Sequence, residues 1–205
     1  NSIFNHNNGT VLFNGGGSKS VNGSATSFYN LNIANSTVLG GNASTVTVNN
    51  TLSLVSGSLD MSGRTLVFQN GNIPVQRTSG TITTNSSTNL TFGTAGNTGG
   101  SAFTLPSAVF TSVPSINNFT INRSNFIELG SQDITINGSL TLTSGVLSAG
   151  SNTVILFSTA SFTGGSNSSH VNGNLKRFVP AGTNPSLGFP IGDGTYYTPV
   201  TITIT

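Results

Sequence analysis

Short runs of alternating apolar and polar residues recur along almost the whole chain, and helical periodicity is nearly absent. Typical runs are Val46-Thr47-Val48, Leu52-Ser53-Leu54 and Ile134-Thr135-Ile136, which place apolar groups on one face of an extended strand and Thr or Ser on the other. Glycine and asparagine separate the runs, as is usual where turns need a positive φ. The pattern predicts an all-β fold.

The runs also recur at a regular spacing. Val11-x-Phe13 recurs as Leu31-x-Ile33 and again as Leu52-x-Leu54, each time after roughly 20 residues. On a longer scale, residues 28–69 align without gaps with residues 116–157, at a constant offset of 88. Four coils of about 22 residues each would account for both spacings.

This spacing is typical of a right-handed parallel β-helix, a β-solenoid whose coils of roughly 20–22 residues stack about 4.8 Å apart. Inward Leu, Val, Ile and Phe would form ladders, and stability would come from the stacking of neighbouring coils. A β-sandwich is the alternative, because it also has short alternating strands, but it does not predict the recurrence. We therefore predict a solenoid over residues 1–169 that contains the repeat 28–69/116–157.

The pattern changes after about residue 170. Four of the seven prolines lie between positions 180 and 199, and proline is poorly tolerated inside sheets. Residues 170–205 are therefore predicted to cap the solenoid or to begin a next β domain such as a β-sandwich. The chain ends in the alternating run 201–205, which is typical of the middle of a strand, so we expect it to be a piece of a longer protein.

Small polar residues dominate the composition. The chain has 27 Asn, 30 Ser, 30 Thr and 26 Gly among 205 residues, and only 5% of its residues are charged. Intrinsic disorder usually combines low hydrophobicity with high net charge, whereas 34% of this chain is hydrophobic. An uncharged surface of Asn, Ser and Thr is typical of extracellular β-proteins, and we expect an extracellular or cell-surface location.

The charges also narrow the range of partners. The net charge is +2, and only Lys176 and Arg177 among the six basic residues are adjacent, so no basic stripe is present that would bind nucleic acid. There is no cysteine for a disulfide or a thiolate metal site. No apolar run has the length of a membrane span, so membrane insertion is not expected.

The ionisable residues form no recognisable catalytic or metal-binding pattern. The four acids are Asp60, Glu128, Asp133 and Asp193, whereas polysaccharide cleavage needs carboxylates gathered across a groove. The two histidines lack companions at metal-ligand spacing. Gly15–Ser20 lacks the Gly-Lys pair of a phosphate loop and is predicted to be a turn. The sequence predicts no enzyme, and no catalytic, cofactor-binding or metal-binding residue.

Four residues are candidates for a surface contact. Tyr196 and Tyr197 are adjacent, so one of them must face outward if they lie in a strand. Thr141 and Thr143 form an outward Thr-x-Thr pair, the kind of unit that would repeat on an ice-binding face. The equivalent positions in the first copy, Ser53 and Val55, interrupt such an array.

The repeated motifs resemble those of a known group of proteins. The runs Phe28-Tyr29-Asn30-Leu31-Asn32-Ile33, Val46-Thr47-Val48-Asn49-Asn50-Thr51-Leu52-Ser53-Leu54 and Ser56-Gly57-Ser58-Leu59-Asp60 resemble repeats of very large cell-surface proteins of Bacteroidota. The resemblance implies a secreted, adhesin-like or gliding-adhesin-like protein that is exported by the type IX system. It supplies no catalytic residues.

Together these features predict a structural or adhesive stalk segment of a large extracellular surface protein. Its partner would be a polysaccharide, another surface ligand, or neighbouring copies in a fibre. The alternatives are a carbohydrate-binding or polysaccharide-cleaving β-helix and an ice-binding surface.

Overall fold

The chain folds entirely into strands and turns in a computed structural model that describes residues 4–39, 41–69, 72–95, 99–182 and 184–205, and these ranges contain no helix. The strands, numbered in chain order, are β1 (Thr10–Phe13), β2 (Ser18–Ser20), β3 (Ala25–Ile33), β4 (Ser36–Leu39), β5 (Thr45–Leu54), β6 (Gly57–Asp60), β7 (Thr65–Phe68), β8 (Val75–Arg77), β9 (Thr81–Thr83), β10 (Asn89–Phe92), β11 (Phe103–Thr104), β12 (Ser115–Asn122), β13 (Ile127–Glu128), β14 (Ile134–Ser144), β15 (Leu147–Leu156), β16 (Ser161–Gly164), β17 (Val171–Arg177), β18 (Ser186–Phe189), β19 (Ile191–Gly192) and β20 (Val200–Thr203).

The strands stack in parallel, coil on coil. β3 pairs with β5 in register from Ala25↔Thr45 to Ile33↔Leu54, and β12 pairs with β14 in the same way. Within the described residues, the single antiparallel strand pair is β18 with β20. The fold is a β-solenoid of about eight turns. The predicted all-β solenoid is confirmed, and a sandwich is ruled out because successive strands run parallel.

One column of strands runs through almost the whole solenoid. It passes through the first halves of β3 and β5, then β7 and β10, then the second halves of β12 and β14, and ends at β16. We call it the long column. Its inward side chains are buried or half-buried and form a ladder: Thr26, Val46, Leu66, Leu90, Phe119, Leu140 and Phe162.

The largest buried rings of the long column contact one another across successive coils. Phe68 and Phe92 stack with ring centroids 4.8 Å apart, and Phe92 meets Phe119 edge-on at 6.1 Å. All three rings are buried. Because one coil cannot cover its own apolar side, these contacts between coils hold the stack together.

The second sequence copy does not occupy the same positions as the first. The sequence aligns Val46 with Ile134, but the long column that contains Val46 reaches Leu140 instead. The cause is one long coil, which separates Leu90 from its partner Phe119; no other parallel strand partners within the described residues lie so far apart in sequence. The extra residues of this long coil include β11 and shift the second copy by one strand position around the axis. The prediction that four equal coils give the offset of 88 is therefore wrong.

The parallel columns continue beyond the predicted boundary at residue 170. β17 pairs in parallel with β15, from Val171 to Arg177, and β19 pairs with β17. The antiparallel pair β18–β20 then lies against the last coil. Leu187 is buried, the Arg177 guanidinium donates to the Gly188 carbonyl at 2.8 Å, and a Cβ on Gly188 would lie 2.9 Å from the Phe162 ring.

Candidate functional site

Two surfaces of the solenoid combine regular geometry with chemical groups that are available for contact. The first is the outward side of the long column, which we call the hydroxyl face. One row on this face consists of Ser27, Thr47, Val67, Thr91, Thr120, Thr141 and Thr163. The parallel row, two residues earlier in each strand, consists of Ala25, Thr45, Thr65, Asn89, Asn118, Ser139 and Ser161.

The second row of the hydroxyl face is fixed by hydrogen bonds between coils. The Asn89 amide donates to Thr65 Oγ1 at 3.2 Å, the Asn118 amide donates to Asn89 Oδ1 at 2.9 Å, and Ser139 Oγ donates to Asn118 Oδ1 at 2.8 Å. Side-chain ladders of this kind favour flat, untwisted stacking of strands. Neighbouring side chains along each row are about 4.8 Å apart, and the two rows are roughly 6.6 Å apart.

The shift between the two copies extends the hydroxyl face. Because the long coil places Thr120 directly over Thr91, the first row continues from the first copy into the second. The repeat aligns Thr141 with Ser53, but Ser53 lies in another column, so this row is not visible in the aligned sequence. The first row could have been found from the recurring apolar-Thr-apolar runs, but only with the coil lengths known.

The second surface is a groove of about 420 Å³ on the side formed by β13, β15 and β17, which we call the Glu128 groove. Glu128, Ser148 and Asn172 lie in register on three successive coils and form a polar row along it. Phe126 lines the groove with 44% of its side chain exposed.

The polar side chains of the Glu128 groove are only partly occupied by hydrogen bonds within the protein. Thr104 Oγ1 donates to Glu128 Oε2 at 2.9 Å, which fixes the carboxylate. Within the described residues, Glu128 Oε1, Ser148 Oγ and the side-chain amide of Asn172 take part in no hydrogen bond. Three coils therefore present an acceptor, a hydroxyl and an amide in one line.

A glycine forms part of the groove. Gly145 has φ +85°, and a Cβ there would lie 2.5 Å from the Arg123 carbonyl oxygen and 2.7 Å from that of Asn125. Only glycine fits this close approach of two coils. Gly57 holds the equivalent place in the first copy with φ +78°, which explains the repeated Ser-Gly motif.

The four predicted contact residues lie in two places. Thr141 belongs to the first row of the hydroxyl face, whereas Thr143 is exposed at a register shift where Ile121 pairs with Leu142 and Asn122 with Ser144. Tyr196 is 60% exposed, and Tyr197 is half-buried. The structure therefore brings the tyrosines together near the last coil and leaves the threonines on a different surface.

Three of the four acids make different contacts. Glu128 lines the groove, Asp60 accepts from the Ser62 N–H at 2.9 Å, and Asp133 accepts from the Thr153 N–H at 2.8 Å. In the part of the chain that the structure describes, no three His, Asp or Glu side chains are grouped so that they could hold a metal ion. Gly15–Gly17 form a bend, Ser18–Ser20 form β2, and no helix follows within the described ranges.

His170 is fully buried beneath the last coil. Its Nδ1 lies 3.0 Å from the Ser166 carbonyl oxygen, and the Tyr197 ring stacks over it at 6.3 Å. A Cβ on Gly192 would lie 2.7 Å from Nε2, so the chain passes directly over the imidazole. This packing gives His170 a structural role in holding residues 191–197 on the solenoid.

Asp193 closes the turn that carries both tyrosines, and we expect the stability of this turn to depend on pH. Its Oδ1 accepts from the Tyr196 N–H at 2.8 Å and the Thr195 N–H at 2.9 Å, and these bonds lower the pKa of the carboxyl group below its ordinary value of 3.8. A carboxyl group whose pKa is lowered by folding stabilises the folded turn at pH values above the ordinary pKa. This stability is lost as the pH falls through the lower pKa of the folded state. The Tyr196 amide resonance should therefore titrate in NMR with a midpoint below 3.8. It should not titrate there in Asp193→Asn, and a midpoint above 3.8 would contradict the prediction.

Comparisons with known proteins identify no relative: the chain matches no protein-family model, no curated protein and no solved structure. Nowhere in the described ranges is there a helix long and apolar enough to span a membrane.

Proposed function

We propose that this chain is a non-catalytic, structural and adhesive stalk segment of a large extracellular surface protein of the Bacteroidota type. The observation that supports the proposal is the long column, whose apolar ladder continues through both sequence copies from Val46 to Phe162. Each coil adds about 4.8 Å along the axis, so about eight coils extend roughly 40 Å. A series of such segments would hold a distant contact surface away from the cell.

The surface chemistry agrees with an extracellular stalk. Only 5% of the residues are charged, so the length and shape of the rod should respond little to ionic strength. The resemblance of the repeats to those of large Bacteroidota surface proteins implies export and a cell-surface location. Self-association into fibres belongs to the same proposal, because backbone groups at an exposed strand edge can pair with another copy.

Negative-stain imaging with light scattering at several protein concentrations tests the stalk. We expect stiff particles of uniform width whose length is about 40 Å, or a multiple of that length where copies join end to end. Particles of variable length that bend along their axis would contradict a stalk, since stacked coils cannot bend freely without separating.

The hydroxyl face supports a second candidate function, binding to ice. Its fourteen positions hold hydroxyl, amide and small apolar groups and carry no charge. Regular rows of hydroxyls fixed by side-chain hydrogen bonds can order water in a lattice, whereas charged groups hold water in irregular shells. None of the fourteen side chains is aromatic, which favours a water lattice over stacked sugar rings.

Thermal hysteresis of the purified protein tests the hydroxyl face. We expect hysteresis in the natural chain, its loss in Thr141→Lys, and its retention in Thr135→Lys. Both positions lie in β14 and are half-buried, but Thr135 belongs to another column, so the pair separates loss of the face from general damage. Absence of hysteresis in the natural chain, or equal loss in both variants, would eliminate this function.

A further inference from the structure

We propose that the Glu128 groove binds an extended, uncharged oligosaccharide that lies along the solenoid axis. The groove would supply the adhesive contact of the stalk, so this proposal rests on the proposed function, but a single segment in solution is sufficient to test binding to the groove. It assigns the adhesive contact to the side formed by β13, β15 and β17, which the sequence analysis did not single out.

Polar groups recur along the groove at the spacing of the coils. Glu128, Ser148 and Asn172 are paired in register on consecutive coils, so their outward groups repeat about every 4.8 Å. A single pyranose unit of a β-1,4-linked chain has a similar length. Such a ligand can therefore meet one polar side chain per sugar unit without bending.

The lining of the groove offers both hydrogen-bonding groups and an aromatic ring. Glu128 Oε1 can accept from sugar hydroxyls, the Asn172 amide can both donate and accept, and Ser148 Oγ can do the same. These groups lack hydrogen-bond partners among the described residues, so a ligand need not displace existing bonds. Phe126 adds an exposed aromatic surface at the groove, on which the apolar face of a sugar ring can pack.

The charge of the groove favours a neutral ligand over an anionic one. Among the described residues that line the groove, Glu128 is the single carboxylate and none is cationic. A negatively charged groove disfavours uronic acids, sulfated sugars and phosphate groups, so the ligand should be neutral. Hydrolysis of a glycosidic bond by the usual mechanism needs two carboxyl groups across the bond, so the groove is expected to bind and not to cleave.

Titration calorimetry with the hexasaccharides of cellulose, chitin and β-1,4-xylan tests the proposal, and polygalacturonate serves as the charged comparison. We expect saturable binding of at least one neutral hexasaccharide and a loss of affinity of about tenfold or more in Phe126→Ala and in Glu128→Gln. The matched control is Asp60→Asn, which removes a carboxylate on another side of the solenoid and should leave affinity unchanged. The melting temperature of each variant, followed by circular dichroism, distinguishes loss of the groove from loss of the fold.

Three outcomes would overturn the proposal. One is the absence of saturable binding for all three neutral hexasaccharides. Another is binding that both groove variants retain, which would place the sugar elsewhere. The third is displacement of the bound sugar by an extended neutral peptide with equal affinity, which would show that the groove recognises peptide backbone.

Discussion

Phe92→Ala should lower the free energy of unfolding by about 3–5 kcal/mol, one of the two largest effects that we expect for a single substitution. The Phe92 ring is fully buried, stacks on Phe68 and meets Phe119 edge-on, so it links the last coil of the first copy to the first coil of the second. In a stack of coils each layer is stabilised by its neighbours, and a cavity at this point weakens the contact between the two halves. Urea unfolding followed by far-ultraviolet circular dichroism measures the change.

Phe126→Ala is the matched control for this prediction. It removes the same ring from an exposed position and should lower the unfolding free energy by less than about 1 kcal/mol. The two variants contain the same atoms and differ only in burial. If Phe92→Ala were no more destabilising than Phe126→Ala, the aromatic stack would not join the two copies. Two separate unfolding transitions in Phe92→Ala would show that the halves can unfold independently once the stack is broken.

The period-two pattern was sufficient to predict the class of fold and most of the core. Runs such as Val46-x-Val48 and Leu140-x-Leu142 point their apolar residues inward, because alternation in a strand fixes which side chains share a face. The recurrence after about 20 residues predicted parallel stacking. In a coil of that length, each strand comes to lie beside the strand one turn earlier and runs in the same direction.

The connection between the two copies could not be predicted from the same pattern. Leu90-x-Phe92 and Phe119-x-Ile121 look like any other pair of runs, and nothing in them shows that they are neighbours across the long coil. The Glu128 groove was missed for a related reason. Glu128, Ser148 and Asn172 come from separate coils, and their neighbourhood depends on the register of β13, β15 and β17.

Arg123 was also missed, because a single basic residue in a polar segment is normally solvated. Its side chain is fully buried instead, at the end of β12 beside the long coil. The guanidinium donates to the Ser101 carbonyl at 2.9 Å, and burial lowers the pKa of Arg123 below its ordinary value. Gly100 leaves the space that the guanidinium occupies, since a Cβ there would overlap it.

Arg123→Ala should therefore lower the free energy of unfolding by about 3 kcal/mol, because it opens a cavity and removes charge-assisted hydrogen bonds. Arg123→Met keeps most of the volume without the donors, and its loss should be smaller, about 1–2 kcal/mol. Lys176→Ala removes one positive charge from the surface and should change stability by less than about 0.5 kcal/mol. Urea unfolding measures the free energy of unfolding of the three variants and so distinguishes the contributions of side-chain volume, hydrogen bonding and charge. Wild-type stability in Arg123→Met would show that the buried guanidinium only fills space, and a loss in Lys176→Ala equal to that in Arg123→Ala would show that net charge is what matters.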